Sequence, residues 1–340
     1  MCKLWCCIVL ALLPLFKCYA QSSYIHVVGS STLFPLVSLS AEEFGRKNRI
    51  RIPVIESNGT GNGFKLFCQG VGNNTPDIVA ASRKMSASEE RLCAENEVSD
   101  ILEIKIGYDG IVVASSIDAQ ALDFSEKDLF LALSSHVANG NFGIKKNPNL
   151  KWSDVNAMLP DRKIEVYGPS RETGTYDAVI NMIFLPSCLR SKAFNMEYNK
   201  DFASLKNACS IIRDDGSFIE MGNDENLIVQ KVTRNPNIFG IFGYNFFSKN
   251  KKLLNANKIS GVTPTYENIA NGHYVLSRPL YLYLKKQHLK KVKNLDRFVQ
   301  EITNEVAIGK KGYLVEQGLV ALSETDFAAL QEKVKQALSE

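Results

Sequence analysis

Three short stretches rich in glycine and hydroxyl side chains constrain this chain most: Gly29-Ser30-Ser31-Thr32, Asn58-Gly59-Thr60-Gly61-Asn62-Gly63 and Glu172-Thr173-Gly174-Thr175. Each stands between a run with strand character and a run with helical spacing. Tyr24 to Val28 leads into the first loop, Ile52 to Ile55 into the second and Ile164 to Tyr167 into the third. After them, Leu33, Val37, Ala41 and Phe44, then Phe64 to Phe67, then Val179, Ile180, Ile183 and Phe184 fall on helix faces. A helix start carries unpaired backbone N–H groups and about half a positive charge, and small hydroxylic residues let an oxyanion approach it. A single loop of this kind is more often only a cap or a turn. Three in one chain point to one anion site with three jaws.

A fourth element agrees. Asp77 to Ala81 reads as an apolar strand that ends abruptly in Ser82, Arg83 and Lys84. In an open α/β sheet ligands bind at the carboxyl ends of the strands, which directs Ser82 and Arg83 to where the loops converge. An arginine fork suits a tetrahedral oxyanion. Lys84 is read as a solvated surface charge.

At 340 residues and 45% apolar content the chain exceeds one typical domain, and two lobes are expected. Its first twenty residues, with Lys3 ahead of an apolar run from Leu4 to Phe16 and small residues around Ala20, read as a secretory signal cleaved after about Ala20. The run is too short to span a bilayer. Lys17 ahead of Cys18 argues against a lipid anchor. Without Lys3 and Lys17 the chain keeps 38 basic and 36 acidic residues, a net charge of +2 that does not suggest a nucleic-acid binder. Export fits the cysteines: Cys68, Cys93, Cys188 and Cys209 remain, and Cys68–Cys93 with Cys188–Cys209 is the favoured pairing because each pair lies within one expected lobe. With no C-x-x-C among them and four scattered histidines, metal ligation is disfavoured.

Tyr108 to Ala114 and Arg278 to Leu284 are long strand-like runs expected to cross between the lobes. Phe239-Gly240-Ile241-Phe242-Gly243-Tyr244 reads as tight strand-on-helix packing, and Glu324 to Glu340 as a surface helix. Nucleophile-elbow, P-loop and H-E-x-x-H motifs are absent, so no enzyme is expected. The sequons at Asn58 and Asn73 are taken as chance.

Together the Gly-x-Ser-Thr opening at Gly29, the Gly-Thr-Gly-x-Gly-Phe-Lys stretch from Gly59, the Ala-Ser-Arg ending at Arg83, the Thr-Gly-Thr-Tyr-Asp run at Thr173 and the segment from Gly240 to Tyr244 resemble the periplasmic phosphate-binding proteins of phosphate ABC transporters, the PstS type. The resemblance covers nearly the whole chain after residue 20. It implies an α/β, two-lobed periplasmic binding protein fold with two crossover strands at the hinge, closing on one phosphate ion. Lobe I is expected at 22–109 and 274–340, and lobe II at 110–273. Carried over, Ser31 and Thr32 form the first jaw, Thr60 and the Gly61 amide the second, Ser82 and Arg83 the strand end, and Thr173, Gly174 and Thr175 the helix start of the other lobe. Arg83 stands where some members place an aspartate that accepts a hydrogen bond from protonated phosphate. Arg171 lies near, but out of register with, an arginine of other members. The implied partners are phosphate, a membrane permease and its ATPase, with no cofactor, no nucleic acid and a monomeric carrier in the periplasm. A secreted phosphatase and a surface protein that has kept the fold are the alternatives.

Overall fold

The computed structural model describes residues 24–140, 143–198, 201–222 and 225–339; the signal segment lies outside them. β1 (His26–Gly29) runs parallel to both β2 (Val54–Ser57) and β3 (Ile78–Ala81), so three strand ends lie side by side on one edge. Between these strands come α1 (Phe34–Asn48) and α2 (Thr60–Phe67), and after β3 comes α3 (Ala87–Glu95). The helical spacing expected after the first loop is the buried face of α1: Leu33, Val37, Ala41 and Phe44 are all buried, with Pro35 in the first turn where its missing N–H does no harm.

β4 (Ile101–Ser116) is the spine, a strand of 16 residues. β5 (Val166–Gly168) pairs in parallel with β6 (Phe218–Glu220) and with β7 (Phe239–Gly243). The far half of β4 pairs antiparallel with β7 and with β8 (Leu254–Ala256), whereas its near half pairs antiparallel with β9 (Ser277–Lys285). β9 in turn lies against β3. A single nine-stranded sheet thus runs β2-β1-β3-β9-β4-β7-β5-β6, with β8 beside β4. Of the two expected crossing runs, Tyr108 to Ala114 does pass from one half to the other inside β4. The chain returns at the start of β9, where Leu276 O accepts from Ile111 N and Ser277 pairs with Gly110, and Arg278 to Leu284 then lies along β3 and the near half of β4.

In the second half, α4 (Gly174–Val179) continues as a wide helical turn over Ile180–Phe184 and then to Leu189. α5 (Glu225–Arg234) packs on β7 so closely that a Cβ on Gly240 would lie 2.8 Å from Ile228 and Val232, which is the tight packing read from the sequence. Phe239 meets Phe124 and Trp152 edge to face and those two meet each other tilted, with centroids 4.9–5.3 Å apart. The chain then returns to the first half. α6 (Leu295–Thr303) sets Phe298 against Phe44, Tyr108 and Val320 exchange both backbone hydrogen bonds, and α7 (Glu324–Ser339) ends the described chain as the expected surface helix. Both favoured disulfides are present, Cys68–Cys93 and Cys188–Cys209, each inside one half. No helix among the described residues is long and apolar enough to cross a membrane.

Candidate functional site

The strand ends of the first half are drawn together by backbone hydrogen bonds. Ser30 N donates to Ala80 O at 2.8 Å, and Gly59 N donates to Gly29 O at 2.7 Å. Gly59 adopts φ +80°, a left-handed backbone at the start of α2 that glycine takes without strain. A Cβ on Gly63 would sit 2.7 Å from Gly29 Cα, so α2 rests directly on the loop of the first jaw. Within this edge Ser82 N donates to Thr60 Oγ1 at 3.2 Å, and the two hydroxyls lie 3.3 Å apart.

Across the cleft, the start of α4 closes on the first jaw. A Cβ on Gly174 would lie 3.1 Å from Thr32 Cα, and Ser31 Oγ donates to Asp177 Oδ2 in the first turn of α4. Thr173 caps α4, accepting from Tyr176 N at 3.1 Å while its own hydroxyl donates to Ser170 O at 2.9 Å. Thr175 Oγ1 donates to Glu225 Oε1 at 2.6 Å, and the other oxygen of this buried carboxylate accepts from Gly243 N at 2.9 Å. Thr32, Thr173, Gly174, Thr175, Glu225 and Asp109 face one cleft of about 360 Å³ between the two halves.

The sequence readings of the arginines need correction. Arg83 does not hold its fork open: both terminal nitrogens go to Glu89, at 2.8 and 2.7 Å, and Nη1 also donates to Lys84 O. The reason is local. Ser86 and Glu89 form a capping box at the start of α3, which places the Glu89 carboxylate beside Arg83. Hydrogen bonding to Glu89 raises the Arg83 pKa further above its ordinary value, against the lowering effect of burial. The guanidinium nevertheless lies close to Gly61, 3.7 Å from where a Cβ would stand. Arg171 is exposed and bridges to Glu220 at 2.9 Å.

Four residues in or beside the cleft were not singled out from the sequence as site residues: Asp109, Asp177, Glu225 and Arg278. Arg278 donates from Nη2 to Thr32 Oγ1 at 2.7 Å and from Nε to Asp109 Oδ2 at 3.1 Å, with both side chains of this ion pair mostly buried. The pairing follows from register, since Arg278 and Asp109 are opposite residues on β9 and β4. A lone charge inside each of two apolar strand runs was the available signal.

A family model for the PBP superfamily domain matches residues 20–306. The phosphate-binding protein PstS of Staphylococcus saprophyticus is 30% identical over 312 residues, covering 90% of this chain and 82% of that protein. Protein SphX of Synechococcus elongatus is 28% identical over 85% of this chain and 76% of its own. Among solved structures, a possible phosphate binding protein from Planctomyces limnophilus superposes with a TM-score of 0.70 at 26% identity, over 94% of this chain and all of that one. With its loops, two-lobed sheet and cross-cleft helix start in place, the chain belongs to the PBP superfamily and, within it, to the PstS-type phosphate-binding proteins.

Proposed function

We propose that this protein captures inorganic phosphate between its two lobes and delivers it to the permease of an ABC transporter driven by an ATPase partner. One observation carries the reading: the Thr173-Gly174-Thr175 helix start meets Ser31 and Thr32 across the cleft. Thr32, Thr173, Gly174 and Thr175 line that cleft, and Arg278 is tied to it through Thr32 Oγ1. The ligand set we assign is Ser31, Thr32, Thr60, the Gly61 amide, Ser82, Thr173, Gly174 and Thr175. Arg278 serves as the principal cation, and Arg83 as a second whose charge Glu89 already offsets. Arg171 contributes little, because it faces Glu220.

Lobe limits at 22–109 with 274–340, and at 110–273, are supported by the pairing of Asp109 with Arg278 and of Gly110 with Ser277 at the point where β4 passes between the halves. A ligand that touches both lobes stabilises the closed form, and the closed form is what a permease can recognise. Export to the periplasm is supported by two disulfides, which persist in oxidising compartments. The carrier is taken to work as a monomer.

Calorimetric titration of protein freed of prebound ligand by unfolding and refolding tests the reading. Micromolar or tighter phosphate binding is expected, about −8 kcal/mol or better. Absence of any phosphate heat or competition sinks it.

A further inference from the structure

The cleft hydroxyls are not equivalent, because their partners fix where each proton points. Thr32 Oγ1 accepts from Arg278, which leaves its own O–H free to donate to an anion. Thr175 is the reverse. Its proton goes to Glu225, whose second oxygen is filled by Gly243 N, so this carboxylate is held as an acceptor from both sides. Ser31 likewise gives its proton to Asp177 across the cleft. A hydroxyl has one proton, so Thr175, which lines the cleft, and Ser31, where the first jaw meets α4, are left with only lone pairs to offer an oxyanion.

Resting on the phosphate reading above, we infer that Glu225 and Asp177 are positioning residues that make Thr175 and Ser31 hydrogen-bond acceptors, so the site selects an oxyanion that still carries a proton. Monohydrogen phosphate can donate to such an oxygen. Sulfate is unprotonated at neutral pH and meets a lone pair it cannot satisfy, which is the unpaired-group penalty that separates close analogues. The interposed hydroxyl also sets the carboxylate charge back from the dianion, so the acceptor is presented with less repulsion than a carboxylate in direct contact would exert. An acceptor of this kind supplies what an aspartate at position 83 would otherwise have supplied.

The test is titration of the full protein with phosphate and with sulfate at pH 7.5, for wild type, Glu225→Gln, Asp177→Asn and the double variant. An amide can donate to the hydroxyl and so reverse its polarity without changing its shape. The ratio of sulfate to phosphate dissociation constants is expected to be large in wild type and to fall at least tenfold in the double variant, chiefly through tighter sulfate binding. A ratio within twofold of wild type overturns the inference, as does a wild type that binds both ions equally. If the amide variants do not fold, Ser31→Ala decides: phosphate affinity falls tenfold with sulfate unchanged, whereas equal losses overturn the proposal. A wild type that binds neither ion fails at the phosphate reading instead, so the two failures are distinct.

Discussion

Arg278 and Arg83 differ in what already holds them. Arg278 shares its fork between Asp109 and a hydroxyl that faces the cleft, whereas Arg83 gives both terminal nitrogens to one carboxylate. Charge-assisted hydrogen bonds contribute about 1.5–3 kcal/mol, so Arg278→Ala should weaken phosphate binding by about tenfold to a hundredfold. Arg83→Ala should cost less than Arg278→Ala in the same titration, and the reverse order would reassign the principal cation. The meeting of the Thr173–Thr175 loop with Ser31 and Thr32 had its signal in the coincidence of three glycine- and hydroxyl-rich loops in one chain, since one such loop alone is more often a cap or a turn. The Arg278–Asp109 pair was not legible, because it depends on register between residues 169 apart in the chain. Nor was the Glu89 partner of Arg83 foreseen, although the Ser86-x-x-Glu89 capping signature lay in plain view.

At the level of elements, the edge formed by β1, β2 and β3 followed from two like strand–loop–helix units and the abrupt strand end at Ser82, whereas the third such unit lies on β5 in the other half. The wide helical turn at Ile180–Phe184 had no local signal, since its apolar residues satisfy either winding. Arg213 shows how a buried charge can join elements. Its guanidinium donates to Ala132 O at the end of the helix Glu126–Leu133, to Asn149 O at 2.6 Å and to Asp215 at 2.9 Å. Hydrogen bonding from Arg213 holds the Asp215 carboxyl down, from 3.8 to about 2. A carboxylate with a depressed folded pKa stabilises above its unfolded pKa and loses that contribution as pH falls toward the folded one. Asp215→Asn should therefore destabilise by about 2 kcal/mol at neutral pH. The gap to wild type should narrow between pH 4 and pH 2, as read by urea unfolding at several pH values. A gap that does not change with pH would show that the pair acts only through shape.

For the whole molecule, the two-lobed division was legible from length and from the two long strand runs. The route of the crossing was not. β4 carries the sheet from one half to the other along its length, whereas β9 meets the crossing only at its start, where Ser277 pairs with Gly110, a difference that hydrophobic pattern alone does not show. The disulfides were placed correctly because each joins cysteines close in sequence, 25 and 21 residues apart, inside one lobe. That locality has a mechanical side. When the chain is pulled from its two ends, every residue enclosed by a disulfide is hidden from the force, so the oxidised protein cannot reach its full extension. At about 3.5 Å per residue, less the short span across each bridge, reduction should release about 80 Å at Cys68–Cys93 and about 70 Å at Cys188–Cys209. In an optical trap the two increments should appear separately, one with the rupture of each lobe. The molecule thus carries an internal ruler that reports which lobe has given way.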